Sequence, residues 1–208
     1  MPSVVSAPSV VYELFTSQGC SSCPPANAQI DGASREPGVL ALSYGVTYWD
    51  YLGWKDTFAK PEFTERQRRY VRALGARGPY TPQIVVNGRV HASRIEPWTM
   101  APLESDLLLA MEQGELTADG VGEAVLVSFT PGRQSVPVKR GENGGRTVEV
   151  TNVVAAVESV VLPHIFTPEP DLAYALLKHG ADMSISDAAV WMPQGSQGPK
   201  TRKAPSPG

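Results

Sequence analysis

The sequence has no long apolar run and no large excess of charge of either sign. No stretch of about 18 consecutive apolar residues occurs, so we expect no membrane-spanning helix. The net charge of -3 at pH 7 gives no reason to expect nucleic acid or an acidic membrane surface as a partner. The first residues, MPSVVSAPSVVYELF, lack the basic region and the long apolar region of a secretory signal. As written, the chain is therefore expected in the cytoplasm.

Residues that bind metals or form disulfides are also scarce. The 208 residues include only 2 cysteines and 3 histidines. Two cysteines are too few for the disulfide framework of a small secreted protein. His91, His164 and His179 do not show the paired spacing of a zinc site. With 42% apolar and 19% charged residues, the composition is that of a globular protein large enough to build a core without disulfides.

Both cysteines lie in one segment, TSQGCSSCPP, residues 16–25. The spacing of Cys20 and Cys23 allows a redox-active dithiol, a Cu(I) site or half of a zinc site, a structural disulfide, or two inert buried thiols. At a helix N-terminus the first cysteine would be stabilised as a thiolate, and the second could resolve a mixed disulfide. A structural disulfide would close too short a loop to constrain the unfolded chain. We therefore favour the redox interpretation, with metal binding as its main alternative.

Residues 10–113 show the pattern of an α/β protein, in which strands and helices alternate. Asn87 and Gly88 separate two apolar runs, as in a hairpin with a type I′ turn. The predicted elements are a strand at 10–16, a helix from near Cys20 through AQIDGA, a strand at 38–46, a helix at 62–74, a hairpin at 81–93 and a helix at 98–113 with Gly114 as its stop.

The second half of the chain differs in character. Residues 121–162 are rich in β-forming residues around a turn-rich centre, and they predict a small β appendage. DLAYALLKHG, residues 171–180, fits a short helix, although a strand is an equal match to the pattern. The tail, residues 193–208, is low in apolar residues and rich in Pro, Gly and Ser, which predicts disorder.

Four segments, ELFTSQGCSSCPPA, YWDYLGWKDTFA, YTPQIVVNGR and RGENGGRTVEVTNVV, together resemble the family called domain of unknown function 1223. The resemblance covers roughly residues 10–155. It implies a thioredoxin-like fold of redox type with a β appendage, in mostly bacterial proteins with export signals, but it supplies no established reaction. It would place the protein outside the cytoplasm, and it would make residues 172–178 a strand.

The resemblance also assigns site residues. Cys20 and Cys23 match the pair of the family, and Thr81-Pro82 matches its Thr-Pro, where thioredoxin-like folds place a cis-proline facing the cysteines. Trp49, Asp50 and Trp54 match its aromatic and acidic loop. Gly45 and Thr47 stand where the family usually has histidine and aspartate, so a site that uses those groups is lost here. Together with the residue pattern, the resemblance predicts a flexible N-terminus at 1–9, a thioredoxin-like domain at 10–114, a packed β-rich appendage at 115–192 and a disordered tail at 193–208.

Other candidates have a structural alternative beside the functional one. Trp49, Asp50 and Trp54 could bind a substrate, or they could close the core and cap a turn. Glu13 could accept the proton of the second thiol, or it could form a salt bridge with an arginine.

Two further segments carry charge or glycine. The predicted helix at 62–74 would have a solvated face formed by four arginines, Arg66, Arg68, Arg69 and Arg72. RGENGGR, residues 140–146, predicts a glycine loop with only a weak signal for anion binding.

The hypothesis is a thiol–disulfide oxidoreductase in which Cys20 attacks and Cys23 resolves. Thr81 and Pro82 would hold the substrate beside Cys20. The substrate would be a protein or small-molecule disulfide or thiol, and no organic cofactor is expected because the dithiol carries two electrons. The alternatives are a copper-binding module on Cys20 and Cys23, and a binding protein whose cysteines only sense redox state.

Overall fold

A computed structural model describes residues 4–103 and 106–195. Ten strands form one mixed sheet, and two α-helices pack on its two faces. The strands are β1 (Val4–Ser6), β2 (Val10–Thr16), β3 (Val39–Gly45), β4 (Gln83–Val86), β5 (Val90–Ala92), β6 (Leu108–Glu112), β7 (Glu115–Pro137), β8 (Thr147–Phe166), β9 (Ala173–His179) and β10 (Ile185–Met192). The helices are α1 (Pro24–Ala33), α2 (Pro61–Ala73) and a short 3-10 helix, Asp50–Leu52.

The sheet order is β1-β10-β9-β7-β8-β3-β2-β4-β5, and β6 pairs with β7. β2 runs parallel to β3 and antiparallel to β4. The long strands β7 and β8 form an extended antiparallel hairpin, and β8 joins β3 in parallel through the pair Ser43 and Val153. The predicted α/β class is therefore confirmed, with more strand than the sequence led us to expect.

Side chains of β2 alternate between two cores because successive residues of a strand face opposite sides of a sheet. Leu14 packs with Ile30 of α1. Its neighbour Phe15 packs on the other face with Tyr44 of β3 and with Phe63 and Tyr70 of α2. The end of β2 leads directly into the cysteine segment, which precedes α1 along the chain.

The first half of the chain follows most of the predicted elements. The strands at 10–16 and 38–46, the helix at 62–74 and the hairpin at 81–93 are confirmed within about two residues. Asn87 (φ 48°) and Gly88 (φ 62°) form the predicted turn with two positive φ angles. The first helix begins at Pro24 rather than near Cys20, because Pro24 and Pro25 occupy the first helical turn, where no amide donor is required.

The helix predicted at 98–113 is wrong. Residues 108–112 form β6, which turns through Gln113 (φ 51°) and Gly114 (φ 89°) into β7. Leu107 and Leu109 are buried and Leu108 is 48% exposed, so the period is that of a strand. Gly114 serves the turn of a hairpin and not the end of a helix.

Two further expectations change at the ends of the chain. Residues 4–6, assigned from the sequence to a flexible N-terminus, form β1 and pair with β10. Residues 173–179 form a strand between β7 and β10, as the family resemblance implied and the helical alternative did not.

Of the predicted disordered tail, residues 196–208 lie outside the described part of the chain. None of the described helices is long and apolar enough to cross a membrane.

Candidate functional site

The cysteine segment connects the end of β2 to the start of α1. The Cys20 amide donates to the Ser17 carbonyl at 3.1 Å, and the Cys23 amide donates to the Cys20 carbonyl at 3.2 Å. Cys23 then takes the N-cap position of α1. Both residues are free thiols, and both are buried, with Cys20 only 2% and Cys23 0% exposed.

Thr81 brings a second segment against Cys20. Its hydroxyl donates to the Cys20 sulfur at 3.1 Å and accepts from the Trp49 indole nitrogen at 2.7 Å. The Ser22 hydroxyl lies 3.3 Å from the same sulfur. The Thr81–Pro82 peptide bond is cis, as the resemblance to the family implied. The structure therefore brings together Cys20, Cys23, Thr81, Pro82 and Trp49.

The two thiols have different acidities because their surroundings differ. Hydrogen bonds from Cys23, Ser22 and Thr81 outweigh burial and lower the pKa of Cys20 to about 6. Burial, the hydrogen bond given to Cys20 and the charge of Cys20 raise the pKa of Cys23 above its ordinary value. At neutral pH the site therefore holds a thiolate at Cys20 and a thiol at Cys23.

The loop that carries Trp49, Asp50 and Trp54 lies beside this site. Trp49 and Trp54 contact residues of the site, whereas Asp50 bonds within the loop. Trp54 donates to the Gln18 side-chain oxygen at 2.8 Å. Asp50 accepts from the Asp56 amide at 3.1 Å, which is the turn-capping role. Tyr51 is 76% exposed and stacks on Trp49, with ring centroids 6.3 Å apart.

Glu13 forms the salt bridge that was the structural alternative for this residue. Its carboxylate lies 2.7 Å from the Arg66 guanidinium and accepts from the Tyr70 hydroxyl. Burial raises the pKa of Glu13, but the charge and hydrogen bond of Arg66 outweigh this effect, so the pKa is lowered overall. Glu13 shares its face of β2 with Phe15 and α2, whereas Cys23 precedes α1. Arg66 itself is 3% exposed, so the prediction of a solvated position was wrong for this residue.

Four residues near the cysteines were not identified from the sequence. The backbone N–H of Gln18 donates to the Asp56 carboxylate at 2.7 Å, and burial raises the pKa of Asp56. Glu142 accepts from the Ser21 amide at 2.9 Å. Asn143 donates to the Gln18 and Cys20 carbonyls at 3.0 and 2.9 Å. The glycine loop at 140–146 was the only sequence signal for the last two.

The described residues contain no cluster of three or more His, Cys, Asp or Glu side chains that could hold a metal ion. A metal at this site would therefore be held by the two cysteines alone among these residue types.

Comparison with known proteins gives a family match and structural relatives. Residues 11–169 match the family described as protein of unknown function DUF1223. A crystal structure of an Agrobacterium tumefaciens protein, a structural genomics target, is similar at 28% identity with a TM-score of 0.68; the match covers 92% of this chain and 97% of that one.

A second solved structure, HBP35 of Porphyromonas gingivalis, is similar in fold only. The identity is 14% and the TM-score 0.58, over 97% of this chain and 80% of that one. No curated protein matches the chain.

Proposed function

The chain belongs to the DUF1223 family of proteins of unknown function, and from the geometry of its cysteine site we propose that it is a thiol–disulfide oxidoreductase. The observation that carries the proposal is the contrast between the two thiols. Cys20 accepts hydrogen bonds that favour its thiolate, whereas Cys23 is fully buried beside it. A low-pKa thiol next to a protonated partner is the arrangement that thiol–disulfide exchange requires.

In the proposed reaction the Cys20 thiolate attacks one sulfur of a substrate disulfide. A mixed disulfide forms between Cys20 and the attacked sulfur, the substrate S–S bond breaks, and the other substrate sulfur leaves as a thiolate that takes a proton from water. Cys23 then gives its proton to water and attacks the Cys20 sulfur. The bond between Cys20 and the substrate breaks, and the second substrate sulfur leaves as a thiolate that also takes a proton from water. The substrate disulfide is thereby reduced to two thiols while Cys20 and Cys23 are oxidised to a disulfide, and the reverse sequence oxidises a substrate.

Thr81 and Pro82 are proposed to position the substrate beside Cys20. Support comes from the Thr81 hydroxyl, which lies 3.1 Å from the Cys20 sulfur and is held in place by a hydrogen bond from the Trp49 indole. Trp54 supports the same region through Gln18. Asp50 is better explained by its bond to the Asp56 amide than by substrate binding.

Within the thioredoxin-like domain expected at residues 10–114, we further propose that residues 10–92 are thioredoxin-like. The order β3-β2-β4-β5, with β2 and β3 parallel and β4 and β5 forming an antiparallel hairpin, supports this assignment. So do the two helices on opposite faces and the cysteines at the N-terminus of α1. One departure is that the described residues after β5 contain no helix.

The test is the reduction potential of the Cys20–Cys23 pair in metal-free protein, measured against glutathione by mass-tagging of free thiols. We expect a defined value between about -120 and -270 mV, the range of catalytic dithiols. Cys20→Ser and Cys23→Ser variants provide the controls and should form no intramolecular disulfide. A pair that never oxidises, or a potential well below about -300 mV, contradicts the proposal. Tight Cu(I) binding that needs both cysteines would then favour the copper alternative.

A further inference from the structure

The loop between β7 and β8 touches the cysteine segment from a distant part of the chain. The segment from Val138 to Arg146 is closed by backbone hydrogen bonds between these two residues and between Asn143 and Arg146. We call residues 140–146 the hairpin tip. Asn143, at its centre, is 0% exposed.

Two neighbouring residues attach the hairpin tip to the cysteine segment. The side-chain amide of Asn143 donates to the backbone carbonyls of Gln18 and Cys20, and the Glu142 carboxylate accepts from the backbone N–H of Ser21. These partners lie two residues before the proposed nucleophile, at it and one residue after it. The tip therefore binds the backbone on both sides of Cys20.

The hairpin tip also rests on the aromatic loop. A Cβ atom at Gly141 would lie 3.5 Å from the Leu52 carbonyl oxygen and 3.5 Å from the Trp54 Cβ atom. Gly141 has a φ of 76°, a conformation that favours glycine. The tip thus spans from the aromatic loop to the backbone of the cysteine segment, in which Cys20 is only 2% exposed.

We propose that Glu142 and Asn143 determine specificity by keeping the hairpin tip over Cys20, so that the site reacts with low-molecular-weight disulfides and excludes those of folded proteins. The substrate class rests on the proposed function, whereas the covering of Cys20 does not. A disulfide in a folded protein is surrounded by its own chain and cannot approach a buried sulfur unless the tip moves away. A small disulfide needs a much smaller opening.

The first experiment measures access to Cys20 without turnover. Reduced protein is treated with N-ethylmaleimide or with the same maleimide carried on polyethylene glycol, and modification of Cys20 is followed by mass spectrometry. The rate with N-ethylmaleimide is divided by the rate with the polyethylene glycol maleimide, and the result is divided by the same quotient for glutathione. This bulk ratio measures how strongly the site discriminates against large reagents. Because each reagent reacts with the same thiolate, a change in the pKa of Cys20 cancels in the ratio.

We expect strong discrimination in the wild-type protein. Asn143→Ala removes two hydrogen bonds and Glu142→Ala removes one to a charged acceptor, so each should lower the ratio by about tenfold. Arg146→Gln changes an exposed residue of the same tip and should leave the ratio unchanged. Glu142 is itself exposed, so its variant remains informative if Asn143→Ala folds poorly.

The second experiment compares oxidation of the reduced protein by glutathione disulfide and by a folded protein disulfide. Wild type should favour glutathione disulfide, and Glu142→Ala should narrow the preference. Equal rates with both oxidants, or a bulk ratio that neither variant changes, would overturn the inference. If no oxidant reacts while the bulk ratios change as expected, the proposed function fails and the covering role of the tip stands.

Discussion

At the scale of single residues, the chemistry depends on what donates to the Cys20 sulfur. The Trp49 indole donates to Thr81, and the Thr81 hydroxyl therefore has its one proton directed at the sulfur. A hydrogen bond to an anionic sulfur stabilises the thiolate more than the thiol. Position 81 is thus expected to affect acidity directly.

Thr81→Val should raise the pKa of Cys20, which is lowered to about 6 in the wild-type protein. The thiolate fraction rises with pH, so the wild-type alkylation rate should increase through about pH 6 and then level off. Loss of a hydrogen bond to a charged group should move this midpoint upward by about one pH unit. The measurement is the pH profile of the iodoacetamide rate at Cys20.

Thr81→Ser is the matched control because it keeps the hydroxyl group. Its midpoint should stay close to that of the wild type. An unchanged midpoint in Thr81→Val, with the protein folded, would show that Thr81 does not stabilise the thiolate.

At the scale of elements, a buried charge network joins β2, α2 and β9. Arg66 of α2 binds Glu13 of β2, and its guanidinium lies 3.0 Å from the His179 imidazole of β9. Burial, followed by the charge of Arg66, lowers the pKa of His179 to about 4. The histidine is therefore neutral beside the arginine at neutral pH.

Arg66→Met should lower the free energy of unfolding by about 3–5 kcal/mol, because it leaves the Glu13 carboxylate buried without its charged partner. Urea denaturation measures the change. Arg68→Met is the control on the same helix, since Arg68 is 54% exposed in its ion pair with Glu65 and should cost less than about 1 kcal/mol.

The double variant Glu13→Leu with Arg66→Met separates the pair from packing alone. Replacing both charges with apolar groups should restore most of the lost stability. A double variant no more stable than Arg66→Met would contradict the explanation by an unpaired charge.

At the scale of the whole molecule, the seam between β3 and β8 joins the two halves of the sheet. The seam has a single paired position in its register, Ser43 with Val153. Side-chain hydrogen bonds also connect β3 and β8. The Ser43 hydroxyl donates to the Thr151 carbonyl at 2.7 Å, and Asn152, with a φ of 51°, donates to the Ala41 carbonyl at 2.8 Å.

Asn152→Ala should lower the free energy of unfolding by about 2–3 kcal/mol, because it removes hydrogen bonds to Ala41 and Gly132 and puts alanine at a positive φ. Asn152→Gly relieves the backbone cost and should lose less. Unfolding curves from tryptophan fluorescence and far-ultraviolet circular dichroism should still coincide. Separate transitions would show that the seam does not couple the two halves.

Much of the first half of this fold could be predicted because its signals are local. Pro24 and Pro25 suit a first helical turn, and Asn87-Gly88 suits a tight hairpin, whatever surrounds them. The strands β6 and β9 were harder to predict from the sequence. Short runs of leucine and alanine match a helix and a strand about equally, and pairing with β7 and β10 decided between them.

The candidate site divides in the same way. Cys20, Cys23 and Thr81-Pro82 stand out in the sequence, and the resemblance to the family related them to one another. Glu142 and Asn143 could not be identified, because their partners are Ser21, Gln18 and Cys20, more than a hundred residues away along the chain. Arg66 was misassigned because its buried partner Glu13 belongs to a different element.

The sequence by itself therefore determined the α/β class of the first half, the pair of thiols and its place before a helix, since proline, glycine and cysteine spacing act over a few residues. Only the tertiary structure decided which thiol is the more acidic, which arginine is buried and which distant residues bind the backbone around Cys20. Those properties depend on burial and on hydrogen bonds between distant segments, and they exist only once the sheet has brought these segments together.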